Sequence, residues 1–356
     1  MKVEIAASIR IRKEIAPYIA SPVREKLLSL SDAILGQILD IRALAGRPVT
    51  LVTPQGRWFL GKHGSIVQRP DEAFVFDHDA ARKTFQLVTF GSTYALEEEL
   101  RNGFITLKGG HRVGLAGKMT LGHDGGFTLR EVTGFIFRVS REIKGCADAI
   151  MPYCISQDGL SLLSTLIISP PGAGKTTILR DMIRQASYGI SRLGFPGSNI
   201  AVIDERNEIA ACHEGEPQLD VGPTTVVLDR CPKARGLIMA LRTLSPSVIA
   251  TDEIGGREDL EALREALNAG VSVLATAHAG SLKELCIRRG FMELLEEGAF
   301  PRIVLLSRVP SPGTISGIYD NSGRCLSDLD GEIERAMTDR GVGGKVQVSG
   351  KWGIAR

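Results

Sequence analysis

At 356 residues the chain is long for one hydrophobic core, so two domains are expected. A composition of 43% hydrophobic, 24% charged and only 5% aromatic residues is that of a soluble globular protein, and no apolar run approaches the roughly 18–20 residues of a membrane span. The formal net charge of +2 excludes a global electrostatic pull toward nucleic acid or an anionic membrane.

The amino terminus, Met1-Lys2-Val3-Glu4-Ile5, lacks the apolar run of a signal peptide. Six cysteines (Cys146, Cys154, Cys212, Cys231, Cys286, Cys325) show no C-x-x-C pair and no metal-like rhythm with the histidines. Reduced, incidental thiols and a cytoplasmic location are the expectation. Residues 1–30 carry apolar positions at helical spacing, interrupted by Pro17 and Pro22. Short strands are then expected at Gln37–Arg42, Val49–Val52 and Trp58–Leu60, divided by Gly46-Arg47-Pro48 and Pro54-Gln55-Gly56. A helix is predicted over 78–101, ending at Asn102-Gly103, followed by strands at Phe104–Leu107, Val113–Ala116 and Phe135–Val139. These elements make a small α+β domain, placed at 1–145.

From Asp158 onward strands alternate with helices. Strands are predicted at 162–169, 199–203, 247–251, 271–275 and 302–306, and helices near 175–187, 233–244, 257–268 and 281–297. Ser281-Leu282-Lys283-Glu284 has the form of a capping box, and Gly270 stands where a helix should stop. Such alternation implies a parallel sheet covered on both faces, here assigned to 146–325. After Asp320 the chain turns polar and glycine-rich; a tail over 326–356, with one short helix near 328–338, is expected to be mobile.

The most informative stretch is Ser169-Pro170-Pro171-Gly172-Ala173-Gly174-Lys175-Thr176-Thr177. It lies between an apolar strand and a helix and follows G-x-x-x-x-G-K-[ST], except that Ser169 replaces the first glycine. Gly172 and Gly174 let backbone N–H groups turn inward onto phosphate oxygens. Lys175 can reach the β- and γ-phosphates, the Thr176 hydroxyl can hold Mg²⁺, and the helix dipole beneath adds positive potential. Pro170 through Thr177 are therefore the expected nucleotide-binding residues.

Hydrolysis further needs a metal-supporting carboxylate, a group that orients water, and often an arginine. Two strands end in such carboxylates: Ile203-Asp204-Glu205-Arg206 and Ala250-Thr251-Asp252-Glu253. By analogy with other hydrolytic phosphate-loop folds, the third strand in sequence carries the metal aspartate. That favours Asp252 at Mg²⁺ and Glu253 at the water. Asp204 and Glu205 would then line the outer edge, assisting water or a neighbouring subunit, or else serve a salt bridge. Thr276 and His278 alternate along a strand expected beside the loop strand, where they could bond the γ-phosphate and report its loss. Among many arginines, Arg138 and Arg242 are chosen as candidates to act on a neighbour's phosphates.

The series Pro170–Thr177, Ile203–Ala210, Asp252–Gly255 and Thr276–His278 resembles the stage III sporulation protein AA family, as do Asp40–Arg42, Gly103–Thr106, Gly109–Gly117 and Arg138–Cys146 in the front half. The resemblance spans about residues 35–320. It implies an α/β fold with a RecA-like P-loop NTPase core, a mainly parallel sheet and a smaller α+β N-terminal domain. It also implies an ATPase related to the motors of type II and type IV secretion and of pilus retraction, using ATP and Mg²⁺. Such enzymes form hexameric rings. Carried over by position, Asp204 and Glu205 fall in the family's acidic box, Asp252 and Glu253 in its metal strand, and His278 in its histidine box. The implied task is to energise a channel complex between mother cell and forespore, at the mother-cell side, with membrane proteins as partners. The Asp252-Glu253 pair stands where secretion motors usually show Gly-Glu. A nucleic-acid-stimulated motor of the RecA or helicase type, and a nucleotide-dependent switch or small-molecule kinase, are the alternatives; near-neutral charge and scarce aromatics speak against nucleic acid.

Overall fold

The structure, a computed structural model, describes residues 7–91, 97–121, 127–288 and 290–327. The expected helix near 328–338 and the tail beyond 327 lie outside the described residues, as does part of the expected helix 78–101. The chain divides into two compact units, Met1–Arg141 with Ala211–Gln218, and Glu142–Ala210 with Leu219–Arg356. The assignment of residues 211–218 to the first unit is not visible in the sequence pattern, because that segment carries no periodicity of its own.

The strands of the first unit are β1 (Asp40–Leu44), β2 (Arg47–Pro48), β3 (Thr50–Thr53), β4 (Gly56–Leu60), β5 (Ile66–Val67), β6 (Val75–Phe76), β7 (Phe104–Thr106), β8 (Arg112–Leu121) and β9 (Phe127–Arg138). Seven of them form an antiparallel sheet in the order β5-β4-β3-β1-β9-β8-β7, and β2 pairs with β6. Burial alternates along β1 and β3, the signature of a sheet with one face on a core. That core meets a row of side chains four residues apart, Ile11, Ile15, Ile19, Val23 and Leu27, all fully buried. Each such burial contributes about 1.5–3 kcal/mol before entropy is counted. The row is carried by short helical pieces because prolines interrupt it. Pro17 sits in the tight turn Ala16–Tyr18, and Pro22 immediately precedes the helix Val23–Leu28. The predicted helix 78–101 is observed as Asp77-capped His78–Val88 and as Glu97–Asn102.

The second unit holds β10 (Thr165–Ser169), β11 (Ile200–Asp204), β12 (Thr225–Asp229), β13 (Val248–Thr251), β14 (Ser272–His278), β15 (Arg302–Ser307) and β16 (Thr314–Asp320). Their order is β12-β11-β13-β14-β10-β15-β16; all neighbours are parallel except the last pair. Every residue of β10, β11 and β13 is buried, as expected of central strands covered on both faces. The predicted central strands are all present. The edge strands β12 and β16 are additions: both are only partly buried, so their apolar patterns are weak. The predicted helix 281–297 is interrupted between Leu282–Ile287 and Phe291–Glu296. There Arg288 leaves helical geometry and donates to the His278 carbonyl at 2.6 Å, tying the break to the end of β14.

Candidate nucleotide site

Parallel strands bring their carboxyl ends to one edge, and the register fixes which residues meet there. Ser169 of β10 stands opposite His278 of β14, and Thr251 of β13 opposite Ala275. The expected neighbourhood of the loop strand and the histidine strand is therefore observed. Residues 170–174 then form a loop that delivers the chain to the helix Lys175–Tyr188. Gly172 at φ +72° and Gly174 at φ +90° occupy the left-handed region, where a side chain is strained. Ser169 does not, so serine is admissible where the pattern asks for glycine. Its buried hydroxyl donates to the Pro170 carbonyl at 2.7 Å.

Lys175 is buried, and its ammonium is held by neutral acceptors: the Ser169 carbonyl at 3.4 Å, the Ser169 hydroxyl at 3.3 Å and His278 Nδ1 at 3.0 Å. Burial pulls its pKa down, against the opposing pull of Asp252 and Glu253, and Arg308 adds to the depression. Because Nδ1 accepts from Lys175, the imidazole proton resides on Nε2, which donates to Glu253 Oε1 at 2.9 Å. Arg206 donates to the other oxygen of Glu253 at 2.5 Å. Burial resists ionisation of Glu253, but the His278 bond and the charges of Arg206 and Lys175 outweigh it and hold its pKa below the ordinary glutamate value. Glu253 itself has φ +53°, an uncommon conformation for a residue with a side chain. Its N–H is fixed by Asp252 Oδ1 at 3.0 Å and Thr276 Oγ1 at 2.9 Å.

Asp252 accepts from the Thr176 hydroxyl at 2.5 Å and from the Thr276 hydroxyl. The Thr176 and Asp252 oxygens thus converge from the first turn of the helix and from the residue that follows β13, the hard donor type that Mg²⁺ takes. Among the described residues no group of three or more His, Cys, Asp and Glu could hold a metal. This donor set fits a cation that keeps waters and phosphate oxygens in its shell, as Mg²⁺ does, and not one caged by protein alone.

The second carboxylate pair has different employment. Asp204 is buried and accepts from the N–H groups of Glu208 at 2.8 Å, Ile209 at 3.0 Å and Ala210 at 2.8 Å. Burial raises its pKa, against those three bonds. Arg180 braces the same loop through the carbonyls of Glu208 and Ile209. Glu205 pairs with Lys233. Asp204 therefore shapes the loop that presents Arg206, and a cleft lined by Asp204, Glu205, Arg206, Lys233, Asp252 and Glu253 joins the two strand ends.

Neither chosen arginine is found among these groups. Arg242 is exposed in the last turn of the helix Lys233–Thr243, which begins beyond β12 and ends before β13 starts. That direction places it at the opposite edge of the sheet from Lys175. Arg138 belongs to the first unit, where it lies 3.5 Å from Asp40 with its side chain 67% exposed. Sequence reasoning missed Arg206, Lys233 and Arg308. Arg206 directly follows the Asp204-Glu205 pair, a signal that could have found it; the other two reach the site only through sheet order.

Residues 9–326 match the family described as "Sporulation stage III, protein AA". The chain belongs to that family. Stage III sporulation protein AA of Bacillus subtilis (strain 168) is 40% identical over 318 residues, covering 89% of this chain and 98% of the relative. Among solved structures, the ATPase DotB of Yersinia pseudotuberculosis is similar with a TM-score of 0.51 and 14% identity, over 85% of this chain and 79% of DotB. The pilus retraction motor PilT with bound ADP gives 0.48 and 16%, over 80% and 76%. At such identities the likeness to DotB is one of fold: a RecA-like core with a mainly parallel sheet, and a smaller antiparallel domain. The stage III sporulation protein AA match takes in the phosphate loop, both carboxylate pairs, His278 and Arg138. No helix of the described residues is long and apolar enough to cross a membrane.

Proposed function

We propose that this chain hydrolyses ATP with Mg²⁺ as cofactor. The observation that carries the reading is the convergence of Lys175, His278 and Glu253 in one hydrogen-bonded chain beside the Thr176–Asp252 pair. Lys175 is tethered by neutral acceptors and not by a carboxylate, so its charge is free to be drawn onto phosphate. Backbone N–H groups of residues 172–177 would receive the remaining phosphate oxygens. Thr176 and Asp252 would hold Mg²⁺, which when bound neutralises charge on the phosphates. Glu253, kept ionised by Arg206 and His278, would accept a hydrogen bond from the attacking water and fix its position. His278, bridging Lys175 and Glu253, would sense whether a γ-phosphate is drawing on Lys175.

Membership of the sporulation family supports the wider reading. The chain would work in the cytoplasm of the mother cell as a ring of identical subunits, in the manner of secretion and pilus-retraction motors. It would energise a channel complex built with membrane proteins. The test of the chemistry is Glu253→Gln. Phosphate release should fall about 10²-fold or more, while the affinity for magnesium ATP stays within about threefold. A wild-type rate in this variant would remove Glu253 from the reaction.

A further inference from the structure

The turn between β15 and β16 lies against the phosphate loop. Gly313 N–H donates to the Ala173 carbonyl at 2.8 Å, and a β-carbon on Gly174 would stand 3.3 Å from Gly313 N. The sheet register explains this approach. β15 runs parallel to β10 with Leu305 opposite Ile168, so three residues further on Arg308 stands level with the loop. Its guanidinium covers Gly172: the atoms nearest to a β-carbon placed there are Arg308 Nη2 at 3.5 Å, Cζ at 3.8 Å and Nε at 3.8 Å.

Other arginines near this edge are occupied. Arg206 holds Glu253, and Arg288 holds the His278 carbonyl. Arg308 is exposed and, among the described residues, makes no hydrogen bond or ion pair. Its charge is nevertheless close enough to oppose that of Lys175. The loop thus has one cation beneath it and a second, uncompensated one above it. An anion seated on the loop would relieve that repulsion.

We propose that Arg308 is a phosphate-contacting residue acting in cis, on the terminal phosphate of the nucleotide bound by its own subunit. Lys175 marks the side on which that phosphate lies, since its ammonium points back toward Ser169 and His278 and away from the helix start that receives the inner phosphates. Gly172 is on that same side, upstream of the helix. A guanidinium fork there can engage two oxygens of one phosphoryl group. The role rests on the nucleotide-binding reading above and supplements any arginine lent by a neighbour.

Titration calorimetry of the full chain with magnesium AMP-PNP and with magnesium ADP separates the two claims. Arg308→Gln should weaken AMP-PNP about 10-fold or more, the loss of a charge-assisted hydrogen bond, and ADP by less than about twofold. Its melting temperature should match that of wild type, because Arg308 has no structural partner. Lys175→Ala should weaken both nucleotides. If Arg308→Gln binds AMP-PNP as wild type does, the inference is overturned and the nucleotide reading stands. Equal weakening of both nucleotides would make Arg308 a support of the loop, which also overturns it. Failure of wild type to bind either nucleotide would remove the reading and the inference together.

Discussion

Glu253 and Lys175 each occupy a position that costs stability. The left-handed backbone of Glu253 costs about 1–2 kcal/mol, and an ammonium is buried beside it. Both costs are offset by hydrogen bonds that Asp252, Thr276 and His278 supply, so strain and chemistry coincide. The phosphate loop was legible in the sequence because its chemistry is local: glycines, lysine and threonine act within nine consecutive residues. The choice between the two Asp-Glu pairs was not local. It depended on β14 lying between β13 and β10, and on three backbone N–H groups consuming Asp204. A different residue, His111, offers a test of pH dependence. It is fully buried, its Nδ1 accepts from Ser140 N–H at 3.0 Å, and its Nε2 donates to Glu14 at 2.8 Å. Arg10 flanks both partners. Burial lowers its pKa more than Glu14 raises it. The unfolded chain therefore takes up a proton near the ordinary value of about 6.5 while the folded chain does not. Stability from this residue is complete above that pH and is lost as pH falls toward the depressed folded value, with a slope of at most about 1.4 kcal/mol per pH unit. The lowered pKa of Glu14 places its own titration at more acid pH. Urea unfolding followed by tryptophan fluorescence, with Trp58 in the same unit, should show wild type weaker at pH 5.5 than at pH 7.5. His111→Gln should have a smaller difference; an unchanged difference would clear His111.

At the scale of elements, the central parallel strands were legible because continuous apolar runs have no other use in a chain of this texture. The edge strands β12 and β16 were not, since half-burial leaves a pattern that resembles a loop. The break after Ile287 was missed for a related reason: it is imposed by Arg288 reaching the end of β14, a contact between distant elements. Helix Lys233–Thr243 illustrates a further constraint that periodicity does not reveal. Gly236 is buried where the helix presses on β11, and an added β-carbon would lie 2.5 Å from Ile203 Cγ2 and 3.2 Å from Cys231 Sγ. The same helix begins with Lys233, the partner of Glu205. Gly236→Val must push the helix off the strand, and overpacking of this kind costs about 1–3 kcal/mol. Urea denaturation should register that loss. A stability equal to wild type would show that the helix can move away freely.

For the whole molecule, the question is whether one subunit completes its own site. Arg242 is exposed at the edge of the sheet opposite Lys175, and Arg138 is largely exposed on the first unit. Exposed positions suit a group offered to a neighbour, and a head-to-tail interface repeated around a closed ring is the arrangement that would use it. Arg308 differs, because it is already held over its own subunit's loop. Mixing inactive variants distinguishes the two cases. Lys175→Ala lacks a working loop but keeps every arginine; Arg138→Ala or Arg242→Ala keeps the loop but lacks one donor. In an equimolar random ring, about one quarter of the interfaces pair an intact loop with an intact neighbouring arginine, so a mixture should recover about that share of wild-type phosphate release. The mixture of Lys175→Ala with Arg308→Gln should recover nothing beyond the activity that Arg308→Gln has alone, since both lesions fall in one site. Recovery with neither Arg138→Ala nor Arg242→Ala would remove both from the role of neighbour's arginine. Recovery with Arg308→Gln would move that residue into the role instead.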